Sequence, residues 1–254
     1  MKQTSIICRL GRKRRIRDLI MKLAPTEFTT YIEPFVGSGD IYLFMGLEPS
    51  VKAVINDLDP IISDSWKIIK SNPSIGTGDK YDKLTKEQKI ALAYKKSHSN
   101  PLDKLVSNML RLCGSFGGVV KETGKQTLYR FSIIKTRLEK IAGLSEYMKN
   151  TTVLKQDYKT VIKKYDNPNA FIYLDPPYET KDDRELYKED DMDYEEMARV
   201  LKTIKGKFVM SINDSPNIRT IFKGFKQSKV RVKGGASDDK DIGKNRDELI
   251  IKNF

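Results

Sequence analysis

The chain of 254 residues is poor in the side chains that build disulfide scaffolds and metal centres. It contains two cysteines, Cys8 and Cys113, and one histidine, His98. Two cysteines are too few for a disulfide framework or a cysteine-rich zinc site, and a single histidine adds little to either. We therefore expect a protein that works without a bound metal.

Long apolar runs are also missing. No stretch approaches the roughly 20 apolar residues of a membrane-spanning helix. The N-terminal segment becomes basic after Leu10, where a secretory signal peptide would have its apolar core. Hydrophobic residues make up 39% of the chain and aromatic residues 9%, which argues against wholesale disorder. These features lead us to expect an intracellular, globular protein with no membrane partner.

Acidic residues are too few to balance the basic ones. The chain has 34 Asp and Glu against 47 Lys and Arg, a formal net charge of +13. Residues 9–17 and 219–233 each contain six cations and no acid, whereas residues 179–196 contain ten acids. A single charge run is often just a solvated face. Two basic blocks around an acidic one favour a polyanionic partner, most simply nucleic acid.

The apolar pattern predicts the opening of a doubly wound α/β sheet. Residues 31–36 are typical of a strand, and the glycine turn at 37–39 leads into a helix that Asp40 is predicted to cap. A second apolar strand at residues 51–55 precedes a helix that begins at Pro60. Strand, glycine turn, helix and strand in this order are typical of a doubly wound fold.

The middle of the chain has a different character. Residues 72–150 contain helical patterns around a glycine-rich loop and no strong parallel strand, so we interpret them as an inserted, mainly helical domain. Strand patterns return in residues 151–254, where the last two strands are expected to form an antiparallel pair. The predicted sheet domain therefore combines residues 1–71 with residues 151–254.

The strongest chemical motif is Asp-Pro-Pro-Tyr at residues 175–178, directly after an apolar strand. Open α/β sheets bind ligands at this carboxyl edge. The Asp175 carboxylate and the Pro176 carbonyl could each accept one hydrogen from an exocyclic amine. Tyr178 could stack on the base, a contact of roughly 1–3 kcal/mol. The alternative is a rigid Pro-Pro turn with a surface aspartate.

A second motif is the glycine turn, which lets a nucleoside-bearing cofactor approach the backbone. It lacks the third glycine of the dinucleotide-binding fingerprint, and a plain strand-to-helix turn is the alternative. The next strand ends in Asp57, whose carboxylate could accept both hydroxyls of a ribose. The alternative for Asp57 is an ordinary helix N-cap before Pro60.

Together, these residues carry a family resemblance. The order of EPFVGSG at residues 33–39, Asp57, LDPPY at residues 174–178 and a closing Glu-Leu-Ile-Ile strand resembles the α-class, Dam-like N6-adenine DNA methyltransferases. The resemblance covers most of the chain, although the insert matches only loosely. It implies a doubly wound, Rossmann-like methyltransferase sheet with a target-recognition insert. It also implies S-adenosylmethionine as methyl donor and a flipped adenine in double-stranded DNA as acceptor.

The resemblance implies two groups of site residues in this chain, and the basic segments add a third. A first group would hold the target adenine: Asp175, Pro176, Pro177 and Tyr178. A second group would contact S-adenosylmethionine: Arg9, Lys13, Glu33, Phe35, Gly37, Gly39, Asp57, Asp157 and Asp175. A third group is expected from the positive charge of the N-terminal block and the insert and would contact DNA: Arg14, Arg15, Arg111, Arg130 and Arg137. No residue is implied as a metal ligand.

The N-terminal basic segment departs from the family pattern. The family has an aromatic residue followed by Ala-Gly-Gly-Lys. This chain has Arg9 in place of the aromatic residue and Arg12 in place of the second glycine, before Lys13. Either the aromatic contact with the cofactor is lost, or the Arg9 guanidinium replaces it by stacking. The departure bears on cofactor affinity more than on reaction type.

Three alternative functions stay open from the sequence. Cytosine N4 or RNA adenine could accept the methyl group, because both amines suit the same turn. A nucleic-acid-binding partner without cofactor affinity is compatible with Arg9. An unrelated nucleotide-binding oxidoreductase is disfavoured, because it would leave the Asp-Pro-Pro-Tyr motif unexplained.

Overall fold

The computed structural model describes residues 6–7, 13, 15–72, 78–114, 134–141, 143–178, 192–232 and 246–254. Seven strands lie in these ranges: β1 Thr30–Glu33, β2 Lys52–Asn56, β3 Thr151–Leu154, β4 Ala170–Leu174, β5 Lys207–Asn213, β6 Lys226–Val232 and β7 Arg246–Lys252. The helices of these ranges are α1 Arg17–Leu23, α2 Asp40–Met45, α3 Pro60–Ser71, α4 Asp79–Asp82, α5 Lys86–Ala93, α6 Pro101–Gly114, α7 Ile134–Ile141, α8 Leu144–Tyr147, α9 Tyr158–Tyr165, α10 Tyr194–Leu201 and α11 Pro216–Ile221.

The strands form one mixed sheet in the order β3-β2-β1-β4-β5-β7-β6. The first five strands of this order are parallel, and β7 runs antiparallel to both β5 and β6. The predicted closing pair is therefore confirmed, and so is the doubly wound α/β class. Successive crossovers change direction between β1 and β4, and a ligand crevice is expected at the carboxyl ends of those two strands.

Helices cover both faces of the sheet, and the alternation of side chains in β4 shows how. Phe171 and Tyr173 point into one apolar layer, which contains residues of α1 to α8. Ile172 and Leu174 point into the other, which contains residues of α9, α10 and α11. All five residues of β4 are buried. The sequence of a central parallel strand that is buried on both faces is a continuous apolar run, as it is in β4.

The predicted insertion contains the helices α4 to α8 in the part that the structure describes. Leu105 and Met109 of α6 are buried in the same apolar cluster as Trp66 of α3. The insertion thus packs on the helical layer of the sheet. The division of the chain at residues 72 and 150 stays a prediction.

One local prediction was wrong: Asp40 does not cap the helix after β1. The N-cap of α2 is Gly39, in the left-handed region with φ 69°, and no side chain caps this helix. A Cβ atom at Gly39 would lie 2.3 Å from Cζ2 of Trp66, so the turn needs glycine for its space as well as its backbone. Within the described ranges, no helix has the length and apolar character needed to cross a bilayer.

Candidate active site

The Asp-Pro-Pro-Tyr turn follows β4 at the crevice and carries an ion pair with the N-terminal segment. Nζ of Lys13 lies 2.7 Å from Oδ1 of Asp175, and the exposed fractions of the two side chains are 5% and 22%. The same ammonium lies 4.6 Å from the ring centroid of Tyr178. A carboxylate and an aromatic face therefore already hold an N–H donor between them.

Two further hydrogen bonds fix this turn. The Tyr178 hydroxyl donates to Oε2 of Glu248 in β7 at 2.6 Å. The hydroxyl of Tyr194, at the start of α10, donates to the Pro177 carbonyl at 2.5 Å. Proline fixes φ at two successive positions of the same turn. The motif is therefore held by β7 and α10 as well as by its own backbone.

Proton affinities in the turn follow from burial and from the neighbouring charges. Burial raises the pKa of Asp175 to about 6, and the nearby Lys13 ammonium limits the rise. Burial, followed by the negative charges of Asp175 and Glu248, raises the pKa of Tyr178 above its ordinary value. Near neutral pH, Asp175 is therefore mainly a carboxylate, and Tyr178 keeps the proton that it donates.

The glycine turn after β1 lies across the crevice and is tied to the end of β2. Gly37 and Gly39 both have positive φ, 45° and 69°. The Gly37 amide donates to Oδ2 of Asp57 at 2.8 Å, and its carbonyl accepts from Nε1 of Trp66 at 3.1 Å. The N-cap of α3 is Asp59, whose carboxylate accepts from the Ile61 amide. Asp57 is therefore not the helix cap and instead links β2 to the turn.

Two other predicted cofactor residues flank the turn. Glu33 is 2% exposed, and it accepts a hydrogen bond from the Tyr31 hydroxyl at 2.6 Å. Burial raises the pKa of Glu33 well above its ordinary value, although the Tyr31 hydroxyl opposes this rise. The ring of Phe35 packs 5.5 Å from that of Tyr158, centroid to centroid. These residues form an apolar and a polar wall beside the glycines.

A match to a family model identifies the protein family of this chain. The model of the D12 class N6 adenine-specific DNA methyltransferase family matches residues 10–233. The chain belongs to this family. The match confirms the predicted family, and the mixed seven-stranded sheet with helices on both faces confirms the predicted α/β methyltransferase fold class.

Two curated relatives match the D12-class chain over nearly its whole length. The type II methyltransferase M1.LlaDCHI of Lactococcus lactis subsp. cremoris is 26% identical over 274 aligned residues, covering 96% of this chain and 93% of the relative. The type II methyltransferase M.CviBI of Paramecium bursaria Chlorella virus NC1A is 22% identical, covering 95% and 94%. A solved precorrin-6y C5,15-methyltransferase from Geobacter metallireducens superposes with a TM-score of 0.45 and 8% identity, covering 96% of this chain and 88% of that one.

Sequence reasoning missed a buried asparagine that joins three loops of this D12-class site. Asn56, the last residue of β2, is 1% exposed. Its Nδ2 donates to the carbonyls of Pro34 and Gln156, and its Oδ1 accepts from the Gln156 amide. Asp157, which follows Gln156 in the sequence, is exposed. It caps α9, because its carboxylate accepts a hydrogen bond from the Lys159 amide at 2.8 Å. The sequence did offer a signal for Asn56: a side-chain amide at the end of a predicted strand, directly before Asp57.

The predicted DNA contacts differ in whether the structure describes them and in how exposed they are. Arg9, Arg14 and Arg130 lie outside the described residues. Arg15 is exposed before α1, and Arg111 is half-buried in α6.

Arg137 in α7 differs from the other predicted DNA contacts. It is 7% exposed, and its guanidinium donates to the Ile6 carbonyl. This placement favours a structural role for Arg137 over the predicted DNA contact.

The C-terminal basic block is partly neutralised by two acids from neighbouring segments, Asp214 and Asp247. Arg219 donates twice to Asp214, at 2.5 and 2.9 Å. Lys229 lies 2.7 Å from Asp247, and Arg231 lies 3.6 Å from the same carboxylate. Arg219 lowers the pKa of Asp214, as expected of an ion pair. The positive field of residues 219–232 is therefore weaker than their sequence alone indicates.

Proposed function

We propose that this enzyme transfers a methyl group from S-adenosylmethionine to the exocyclic N6 amine of an adenine flipped out of double-stranded DNA. The observation that carries the proposal is the Lys13 ammonium between the Asp175 carboxylate and the Tyr178 ring. An adenine needs the same two contacts, a carboxylate for its amine and an aromatic face for its ring.

The chemistry follows from the electronic structure of the amine. Its lone pair is delocalised into the adenine ring, so the amine is a poor nucleophile. Hydrogen bonds to the Asp175 carboxylate and the Pro176 carbonyl draw the nitrogen towards tetrahedral geometry and localise the lone pair. Positive charge develops on the nitrogen as the methyl group arrives, and the Asp175 carboxylate stabilises it. The proton leaves after transfer, so the site needs no strong base.

The residues across the crevice fit S-adenosylmethionine. Gly37 and Gly39 carry no side chain, so the cofactor can approach the turn closely. The Asp57 carboxylate, which accepts from the Gly37 amide, would also accept the ribose hydroxyls. Glu33 and Phe35 would line the same site. When bound, S-adenosylmethionine supplies an electrophilic methyl group, and the roles of these residues are to bind it and to hold it facing Asp175.

The target base must leave the duplex to reach this turn. Asp175 lies at the edge of the sheet with 22% of its side chain exposed, and a stacked base cannot reach such a position. We propose that Arg14, Arg15 and neighbouring cations hold phosphates. Arg111 and Arg130 of the insertion would then be available to contact base edges. The names of the curated relatives support a site-specific, type II modification activity.

Methyl-acceptor measurements test the proposal. Tritium from methyl-labelled S-adenosylmethionine is expected in duplex DNA that contains adenine and not in duplex DNA built only from guanine and cytosine. RNA of matched composition serves as the second comparison. Label in the guanine–cytosine duplex would favour a cytosine acceptor over adenine N6, and label in RNA alone would indicate an RNA substrate. Failure to bind S-adenosylmethionine in calorimetry would indicate a cofactor-free binding protein.

A further inference from the structure

The hydrogen bond between Tyr178 and Glu248 connects the Asp-Pro-Pro-Tyr turn to a strand that the mechanism does not otherwise use. Its oxygen–oxygen distance is 2.6 Å, in the range of charge-assisted bonds to a carboxylate. The phenol keeps its proton because burial and the adjacent carboxylates raise the pKa of Tyr178. The hydroxyl is therefore the donor, and Glu248 is the acceptor.

The sheet topology explains why Glu248 reaches this turn. β7 runs antiparallel to β5, and Glu248 is paired with Asn213, the last residue of β5. The start of β7 therefore lies at the carboxyl edge, where parallel strands deliver Asp175. Side chains alternate along a strand, so Glu248 shares its face with Ile250, which packs in the same layer as Tyr173.

We propose that Glu248 is a positioning residue that fixes the Tyr178 ring in the orientation needed to stack on the target base. This inference rests on the proposed function. Without Glu248, the hydroxyl loses this acceptor and the ring is less restrained about its side-chain bonds. Stacking depends on the orientation of the ring, so the loss falls on use of the DNA substrate and not on cofactor binding.

The charges around the turn support this role. Glu248 adds negative charge next to Asp175 and contributes to its raised pKa. Lys13 contacts both Asp175 and the Tyr178 ring, and so offsets this charge from the other side. Tyr178 therefore contacts Glu248 through its hydroxyl, and the Lys13 ammonium lies over the ring face on which the target base is proposed to stack.

Removal of the bond from either partner tests the proposal. Glu248→Ala and Tyr178→Phe should each lower kcat/KM for plasmid DNA by about tenfold, which corresponds to about 1.4 kcal/mol, while the Kd of S-adenosylmethionine stays unchanged. Glu248→Gln keeps an acceptor and should stay within about threefold of the wild type. In the Tyr178→Phe background, Glu248→Ala should have almost no further effect, because the two variants remove one interaction.

Two results would overturn the role of Glu248. One is an unchanged kcat/KM in Glu248→Ala. The other is a double variant in which the two single losses simply multiply. If Glu248→Ala fails to fold, Tyr178→Phe and Glu248→Gln still test the bond. An undiminished kcat/KM in Tyr178→Phe, or a tenfold loss in Glu248→Gln, would then contradict the proposal.

A matched control variant and the wild type distinguish a failure of the proposed function from a failure of the proposed role of Glu248. Asp103 accepts a hydrogen bond from the Tyr81 hydroxyl at 2.5 Å, so Asp103→Asn changes the same kind of pair away from the crevice. This variant should keep wild-type kcat/KM. A wild-type protein that methylates no DNA would refute the proposed function. An active wild type with unaffected variants would refute only the role of Glu248.

Discussion

The rate of methyl transfer should fall in acid, because the mechanism uses the ionised carboxylate of Asp175 as a hydrogen-bond acceptor for the adenine amine. Burial raises the pKa of this group to about 6, from an ordinary value of 3.8. The carboxylate is therefore lost as pH falls through about 6, well above the range in which an exposed aspartate titrates. From about pH 7 to about pH 5, the ionised fraction drops from about nine tenths to about one tenth, so the rate should fall about tenfold.

Replacement of Lys13 by Met should move this transition to higher pH. The ammonium lies 2.7 Å from the carboxylate and is the main influence that lowers the pKa of Asp175 against burial. Loss of a charge-assisted hydrogen bond of about 1.5–3 kcal/mol corresponds to an upward shift of about one to two pH units. At neutral pH, Lys13→Met should therefore be slow chiefly because Asp175 is protonated, and it should recover partly in alkali.

The pH dependence of kcat/KM for plasmid DNA, measured with saturating labelled S-adenosylmethionine and limiting DNA, reports the pKa of Asp175 before DNA binds and so measures this profile directly. Lys22→Met is the control, because Lys22 is exposed on α1 and belongs to neither the turn nor the cofactor wall. It should keep the wild-type profile. Two results would refute the reasoning. One is the same apparent pKa for the loss of activity in acid in the wild type and in Lys13→Met. The other is an apparent pKa in the wild type near 3.8, the ordinary value of aspartate.

Three further changes have distinct expected results. Asp57→Ala should weaken S-adenosylmethionine binding by about 1.5–3 kcal/mol in calorimetry, and unchanged affinity would remove Asp57 from the cofactor site. Gly39→Ala should destabilise the fold by about 1–3 kcal/mol in thermal or denaturant unfolding, because its Cβ would overlap Trp66; an unaltered transition would contradict this. Replacing Arg14 and Arg15 together should flatten the salt dependence of DNA binding, by about 0.9 in log–log slope per lost phosphate contact, without changing the methylated sequence.

The sheet could be predicted because its central strands are buried on both faces. Residues 170–174 form an unbroken apolar run, and such a run followed by Asp175 indicates both a strand and its carboxyl edge. Helices α9 and α11 were not predicted. They have 8 and 6 residues, and α9 places three lysines around its apolar positions, so the helical period is hard to see.

The site could be predicted in its motifs but not in its contacts. The glycine turn and the Asp-Pro-Pro-Tyr turn carry local signals. Asp175 pairs with Lys13, and Tyr178 pairs with Glu248. These two partners lie near opposite ends of the chain, and they reach the turn only in the folded protein. The predicted Asp40 cap was wrong because the left-handed backbone of Gly39 starts the helix one residue earlier, so Asp40 is its first residue and Gly39 is its N-cap.

The nucleoside product tests the central claim most directly. Plasmid DNA is incubated with the protein and S-adenosylmethionine, digested to nucleosides and analysed by mass spectrometry. The account predicts N6-methyldeoxyadenosine with the wild type, and almost none with Asp175→Ala, whose fold and DNA binding are verified in parallel. Methyl groups on cytosine N4, or equal amounts of N6-methyldeoxyadenosine from the wild type and Asp175→Ala, would contradict it.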